Sequence, residues 1–219
     1  MMERKLLSLM ALVIVGAGVI SPLRCAAQEE ESAETTQRTT MYEKNQKAVV
    51  LMNTGQTINL RSANIFLKNG ALVYKKGATT LEAEMSGIES VDFPDRTYIK
   101  VDTALAYVVD TVDNKKLLCS TLIDMEAYTT ILLNSREMTN LQMTSFMNIT
   151  TMESMDEAST FPLMRVYYYQ IDGKILNVHE RPILKYADKD KRRLITNIIQ
   201  QPDFSWKNEE SLMEILKLL

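Results

Sequence analysis

From residue 46 onward, apolar and polar side chains alternate with a period of two, in short runs separated by turn residues. The runs are rich in Val, Ile, Leu, Tyr and Thr, whose side chains pack well on a pleated, half-buried surface. The pattern predicts a meander of strands, at spacings typical of a small barrel or a sandwich. The strands are expected in AVVLM, TINL, ANIFLK, ALVYKK, TTLEAEM, IESVDF, TYIKV, ALAYVVDTV and KLLCSTLID.

The dipeptide Asn69-Gly70 marks the clearest turn of this meander. Both residues tolerate a positive φ, which suits the type I′ turn of a two-residue hairpin. Pairing outward from such a turn sets Leu67 against Leu72. Because both faces of this hairpin carry apolar residues, we expect it to lie inside the fold.

A second hairpin is expected around the dipeptide Asp172-Gly173, which suits the same type of turn. Pairing outward from it sets Tyr169 against Leu176 on the side that faces the core. Between the two hairpins, from Asp124 to Phe161, the period of the sequence is unclear and predicts neither helices nor strands.

The other side of the second hairpin carries an aromatic ring, an amide and the chain's one histidine, where burial would favour Val or Ile. These residues, Tyr168, Asn177 and His179, are the predicted ligand-binding site. A ring can stack on a ligand while an amide and an imidazole supply hydrogen bonds, which suits a sugar or a peptide. The alternative is that the C-terminal helices cover this face and that His179 only packs in the core.

Two amphipathic helices are predicted at the C-terminus. Asp188 can cap KDKRRLITNIIQQ, and Asn208 can cap EESLMEILKLL. Phe204, together with Trp206, is expected to insert into the interface of these helices with the sheet. The predicted fold class is therefore mainly β, a meander forming a barrel or sandwich, with a C-terminal two-helix tail, and α+β overall. The apolar stripes of the helices are Leu194, Ile195, Ile198 and Ile199 in the first, and Leu212, Ile215, Leu216 and Leu219 in the second.

The first 27 residues have the organisation of a secretory signal peptide. The apolar run Leu6–Ile20 follows a basic start, and it is shorter than the roughly 20 residues that a membrane-spanning helix needs. The small residues of Cys25-Ala26-Ala27 suit cleavage before Gln28, which leaves no transmembrane span in the mature form. A lipid anchor on Cys25 is the alternative, although Arg24 stands where the lipoprotein motif has a small residue.

The rest of the chain divides into a leader (28–45), a β domain (46–182) and a helical tail (183–219). The leader is acidic and has almost no apolar side chains to bury, so we expect it to be flexible. The β domain is one unit or two similar modules, 46–100 and 101–182. The second alternative rests on a likeness between VVLMNTGQTINL and VVDTVDNKKLLC.

Composition argues against several classes of function. The net charge of −3 gives no reason to expect a nucleic-acid partner. The sequence has no G-x-S-x-G elbow, no clustered His and Cys ligands, no P-loop and no G-x-G-x-x-G turn. We therefore predict no catalytic residue, no metal site and no cofactor. With the signal peptide removed, Cys119 has no internal disulfide partner, and its apolar surroundings predict a buried thiol.

The segment from Val49 to Phe93 resembles the small SH3-like or Sm-like barrels of exported bacterial proteins. It has a strand running into Asn53 and Gly55, then LVYKKG and MSGIESVDF. Those barrels often carry a strand, an Asn-Gly pair, a second strand and then Ile-x-x-Val. This chain departs from that pattern by placing Thr54 between Asn and Gly and by adding the Asn69-Gly70 hairpin. As a whole, the chain resembles uncharacterised exported proteins of Bacteroidetes, and this resemblance implies a location in the cell envelope.

These observations together predict an exported, non-catalytic binding or structural component of a bacterial cell envelope, in the periplasm or at the cell surface. Its expected partner is a glycan, a peptide or an envelope protein. The alternative is a carboxylate-dependent hydrolase that acts on glycans. A pair of carboxylates about 5 to 10 Å apart in a deep groove would favour that enzyme. Nothing in the sequence selects such a pair.

Overall fold

A computed structural model describes residues 34–134 and 160–219 of the chain. The strands in this part are β1 (Thr35–Thr36), β2 (Gln46–Met52), β3 (Thr57–Phe66), β4 (Ala71–Lys76), β5 (Thr79–Glu82), β6 (Ile88–Asp92), β7 (Thr97–Val101), β8 (Ala104–Val112), β9 (Lys115–Ile123), β10 (Phe161–Ile171) and β11 (Lys174–Asn177). The helices are α1 (Met125–Asn134), α2 (Glu180–Tyr186), α3 (Lys189–Ile199) and α4 (Glu209–Leu218), and a 3₁₀ turn spans Met85–Gly87.

The strands form one antiparallel sheet in the order β1-β10-β9-β8-β7-β6-β2-β3-β4-β5, with β11 beside β10. Most neighbours in the sheet are also neighbours in the chain, which confirms the predicted β meander. The order begins at β1 and ends at β5 without pairing these two strands, so in the described ranges the sheet is open and forms no closed barrel. Strand β7 crosses residue 100, where the two predicted modules would meet.

The hairpin of β3 and β4 differs from the predicted one. Ile65 pairs with Leu72, so four residues form the turn and the predicted register, with Leu67 opposite Leu72, is wrong by two residues. Of the turn residues 67–70, only Gly70 has a positive φ, which is +70°. The turn is therefore not a two-residue type I′ turn.

Contacts with distant strands explain this longer turn. The N–H of Leu67 donates to the carbonyl of Thr39 at 2.9 Å, and its own carbonyl accepts from the N–H of Ile123 at 2.7 Å. The carbonyl of Gly70 accepts from the N–H of Leu105 at 2.8 Å. These bonds occupy backbone groups that a longer β3–β4 ladder would have used, and they attach the turn to β8 and β9.

The hairpin of β10 and β11 has the predicted register. Tyr169 pairs with Leu176, and the turn residues Asp172 and Gly173 have φ values of +49° and +76°. Two consecutive positive φ angles are the signature of a type I′ turn, whose twist matches that of the flanking strands. Alternation along β10 then places Tyr168 on the face opposite Tyr169.

The helices α2, α3 and α4 pack on the face of β9 and β10 that carries Cys119, Tyr167 and Tyr169. The hydroxyl of Tyr169 donates to the carbonyl of Leu212 in α4 at 2.7 Å, which links the sheet to the last helix. The tail contains one helix more than the two predicted. This helix, α2, has only seven residues and contains Pro182 in its first turn, so it has no long apolar stripe.

The predicted apolar stripes are largely buried. In α3, Ile195 and Ile198 are buried, but Leu194 is 52% exposed and was wrongly assigned to the stripe. In α4, Leu216 is fully buried, and Asn208 caps the helix by accepting from the N–H of Ser211 at 2.9 Å. No helix in the described part of the chain is long and apolar enough to span a membrane.

Candidate functional site

One cleft collects all three residues of the predicted ligand site. Tyr168, Asn177 and His179 line a depression of about 550 Å³ beside the β10–β11 hairpin. The helices pack mainly on the opposite face of β10, against Tyr167 and Tyr169, and they border the cleft only through Pro182 of α2 and Trp206 between α3 and α4. The described lining residues are Asp102, Arg165, Val166, Tyr167, Tyr168, Asn177, Val178, His179, Pro182 and Trp206.

Tyr168 has a double role in this arrangement. Its half-buried ring packs on a small apolar cluster that includes Ala106 and Leu118, while it also borders the cleft. Burial, followed by the nearby carboxylate of Asp102, raises the pKa of the Tyr168 phenol. The hydroxyl therefore stays protonated at neutral pH and can donate or accept a hydrogen bond.

Asn177 and His179 are exposed, and the backbone fixes their positions. The N–H of Val178 between them donates to the carbonyl of Tyr167 at 3.2 Å, which holds this segment against β10. His179 precedes α2 as its N-cap residue, but its side chain makes no capping hydrogen bond. The imidazole is thus not used to cap the helix.

Trp206 completes one wall of the cleft. Its indole is nearly parallel to the ring of His179, with an interplanar angle of 12° and centroids 6.1 Å apart. Its other ring contact is with Phe204, edge to face at 4.9 Å. The sequence predicted that Trp206 packs near the helices, which it does, but no local signal connected it with His179, because the two residues lie on different elements.

Charges of opposite sign lie at the border of the cleft. Asp102 occupies the turn between β7 and β8, with a φ of +53°. Arg165 contacts Glu34 at 2.9 Å and Glu209 at 3.9 Å. Burial alone would lower the pKa of Arg165, but a hydrogen bond with Tyr167 and the charge of Glu34 raise it above its ordinary value.

Few of the described lining residues have side chains that bind metal ions. No group of three or more His, Cys, Asp or Glu side chains in residues 34–134 and 160–219 could hold a metal. Asp102 supplies the one carboxylate among the described lining residues. The rings, the amide and the hydroxyl of the lining can stack on a ligand and form hydrogen bonds with it.

A second groove, of about 320 Å³, lies between β2, β3 and β4. Its described lining is apolar, with residues such as Val50, Ile58 and Leu72, and Glu84 is the one charged side chain among them. It lacks the convergent polar groups that orient a polar ligand, so the first cleft is the stronger candidate.

No protein-family model, no curated protein and no solved structure matches this chain.

Proposed function

We propose that this protein is an exported, non-catalytic binding component of a bacterial cell envelope, and that its ligand occupies the cleft beside the β10–β11 hairpin. The observation that carries the proposal is the convergence of Tyr168, Asn177 and His179 on one cleft, together with Trp206. A pocket of this size with a few convergent polar groups and aromatic walls has the usual features of a ligand site.

The number of carboxylates favours binding over hydrolysis. A glycosidase of the usual kind needs two carboxyl groups on either side of the scissile bond, about 5 to 10 Å apart. Among the described residues of the cleft, Asp102 alone carries a carboxylate. The carboxylate-dependent hydrolase is therefore the less supported alternative.

The proposed location follows from the N-terminal sequence. The basic start, the apolar run and the small residues before Gln28 support export to the periplasm or the cell surface. A lipid on Cys25 is the less favoured alternative, because Arg24 interrupts the lipoprotein motif. Radiolabelled palmitate that entered the protein, but not its Cys25→Ser variant, would overturn the unlipidated form.

The binding function is tested by exposing an envelope fraction to the protein and to two variants, Asn177→Ala and His179→Ala. Both side chains are exposed, so we expect the melting temperature to stay within the small range of surface substitutions while binding falls. Asn197→Ala, an exposed amide on α3 outside the cleft, is the matched control and should keep full binding. Equal binding by the unaltered protein and all three variants would refute a ligand site at this cleft.

A further inference from the structure

We propose that the ligand of this cleft is an uncharged saccharide chain of a few sugar rings. This inference rests on the proposed function and names the chemical class of its ligand. It draws on three features of the described lining, which are its flat aromatic wall, its mixture of hydrogen-bonding groups and its balanced charge.

The aromatic wall consists of the stacked pair of His179 and Trp206, whose planes differ by only 12°. Phe204 supports the indole from the side of the helices, with an edge-to-face contact at 4.9 Å. A flat, supported ring surface is complementary to the apolar face that a sugar ring presents through its C–H groups. Because the pair is already assembled, little side-chain entropy is lost when a ligand stacks on it.

The polar groups suit adjacent hydroxyl groups. The carboxylate of Asp102 only accepts hydrogen bonds, the amide of Asn177 both donates and accepts, and the phenol of Tyr168 does either. Every sugar hydroxyl is itself a donor and an acceptor. A row of hydroxyls can therefore satisfy this mixture, whereas a ligand with acceptors alone would leave Asp102 without a partner.

The charge of the lining favours an uncharged ligand. Asp102 is negative and Arg165 is positive, and Arg165 is already engaged by Glu34 and Glu209. A phosphate or a uronic acid would meet the carboxylate of Asp102 without an available cation to compensate it. A cationic ligand would find a single carboxylate among the described lining residues, and the same lining carries the positive charge of Arg165.

A peptide fits the same place less well. Peptides often add a strand to a sheet edge and bind through a row of backbone groups. On the outer edge of β10, the N–H of Leu163 already donates to the backbone carbonyl of Glu34 at 2.7 Å, and the carbonyl of Tyr167 accepts from the N–H of Val178. Only residues 164–166 lie between these two bonds, which is too short a stretch for a stable added strand.

The volume of about 550 Å³ lies within the range of about 300 to 1,000 Å³ that is typical of small-molecule sites. A single sugar ring would leave much of the cleft in contact with water. We therefore expect disaccharides and trisaccharides to bind more tightly than monosaccharides.

Trp206 provides a direct readout, because it is the one tryptophan of the chain. The full protein is titrated with a panel of neutral disaccharides and trisaccharides, built from glucose, mannose, galactose and N-acetylglucosamine, while its tryptophan emission is recorded. Short synthetic peptides, inorganic phosphate and the corresponding uronic acids are titrated in parallel. A saturable change with at least one neutral saccharide, and with none of the other probes, is the expected result.

The variants Asp102→Asn and Asn177→Ala should each weaken saccharide binding by about tenfold, since each removes a hydrogen bond to the ligand. Asp113→Asn is the matched control for the first, because Asp113 has the same φ of +53° in the next turn and does not line the cleft. Asparagine tolerates this conformation, so both variants should fold. The control should bind saccharide with unchanged affinity.

The outcomes separate this inference from the proposed function. Binding of a peptide, phosphate or uronic acid without binding of any neutral saccharide overturns the saccharide inference and leaves a ligand site at the cleft. Saccharide binding that Asp102→Asn and Asp113→Asn weaken equally also overturns it, since the cleft would then not be the site. If no probe binds and the envelope fraction does not bind either, both proposals are wrong.

Discussion

Replacing Gly70 with alanine tests whether the turn between β3 and β4 is held against β8 as closely as the structure shows. A Cβ atom on Gly70 would lie 2.7 Å from the Cβ of Ala104 and 3.2 Å from Cδ2 of Leu122. The Cβ of Ala104 is attached directly to the backbone of β8 and cannot rotate away. Either the turn or the strand must therefore shift.

Two costs add up in this variant. An L-residue at a φ of +70° is strained by about 1 to 2 kcal/mol. Forcing an extra methyl group into a packed contact costs typically about 1 to 3 kcal/mol more. We expect Gly70→Ala to lower the free energy of unfolding by about 2 to 5 kcal/mol in total.

Gly173→Ala is the matched control. Gly173 has a similar φ of +76°, but nothing lies within 4 Å of the Cβ it would gain. Its substitution should cost only the backbone strain, about 1 to 2 kcal/mol. Both variants are unfolded in urea and followed by circular dichroism, with midpoints compared at an unchanged slope. Equal losses of stability in the two variants would refute the close contact between the turn and β8.

Two further predictions concern the last helix, α4, and Tyr167, which lies on β10 under the helices. Leu216→Ala should lower the free energy of unfolding by about 2 to 5 kcal/mol because Leu216 is fully buried, whereas Leu194→Ala should leave it almost unchanged because Leu194 is 52% exposed. Equal urea midpoints for the two variants would contradict the docking of α4. Burial raises the pKa of Tyr167 from 10 to about 12, so the folded state keeps a proton that the unfolded state loses. The contribution of Tyr167 to the free energy of unfolding should be complete below pH 10 and should fall as the pH rises towards 12, which urea unfolding at a series of alkaline pH values measures. If Tyr167→Phe lost stability with pH as steeply as the unaltered protein, the loss would not come from Tyr167.

Much of the fold could be predicted because the deciding interactions are local. A period of two identifies a strand whatever its partner, and the Asp172-Gly173 turn determines which residues face each other in the hairpin it closes. That register placed Tyr168 opposite Asn177, and the structure confirms the pair. His179 joins them on one cleft although it lies beyond the end of β11, as the N-cap residue of α2.

Contacts between distant elements decided the rest. The dipeptide Asn69-Gly70 looked like a tight hairpin, yet Leu67 donates a hydrogen bond to Thr39 and accepts one from Ile123, and these bonds made the turn longer. Leu194 matched the apolar stripe of α3, but the packing of that helix covers only the side that carries Ile195 and Ile198 and leaves Leu194 52% exposed.

The residues of the cleft divide in the same way, into those that a local pattern groups and those that distant packing adds. Tyr168 and Asn177 pair in one hairpin and His179 follows two residues later, so a local rule could group them. Asp102 comes from another hairpin, and Trp206 comes from the segment between two helices. A sequence pattern describes neighbours within a hairpin or a helical turn. Which distant side chains join them depends on how the layers pack, and packing is a property of the whole folded chain.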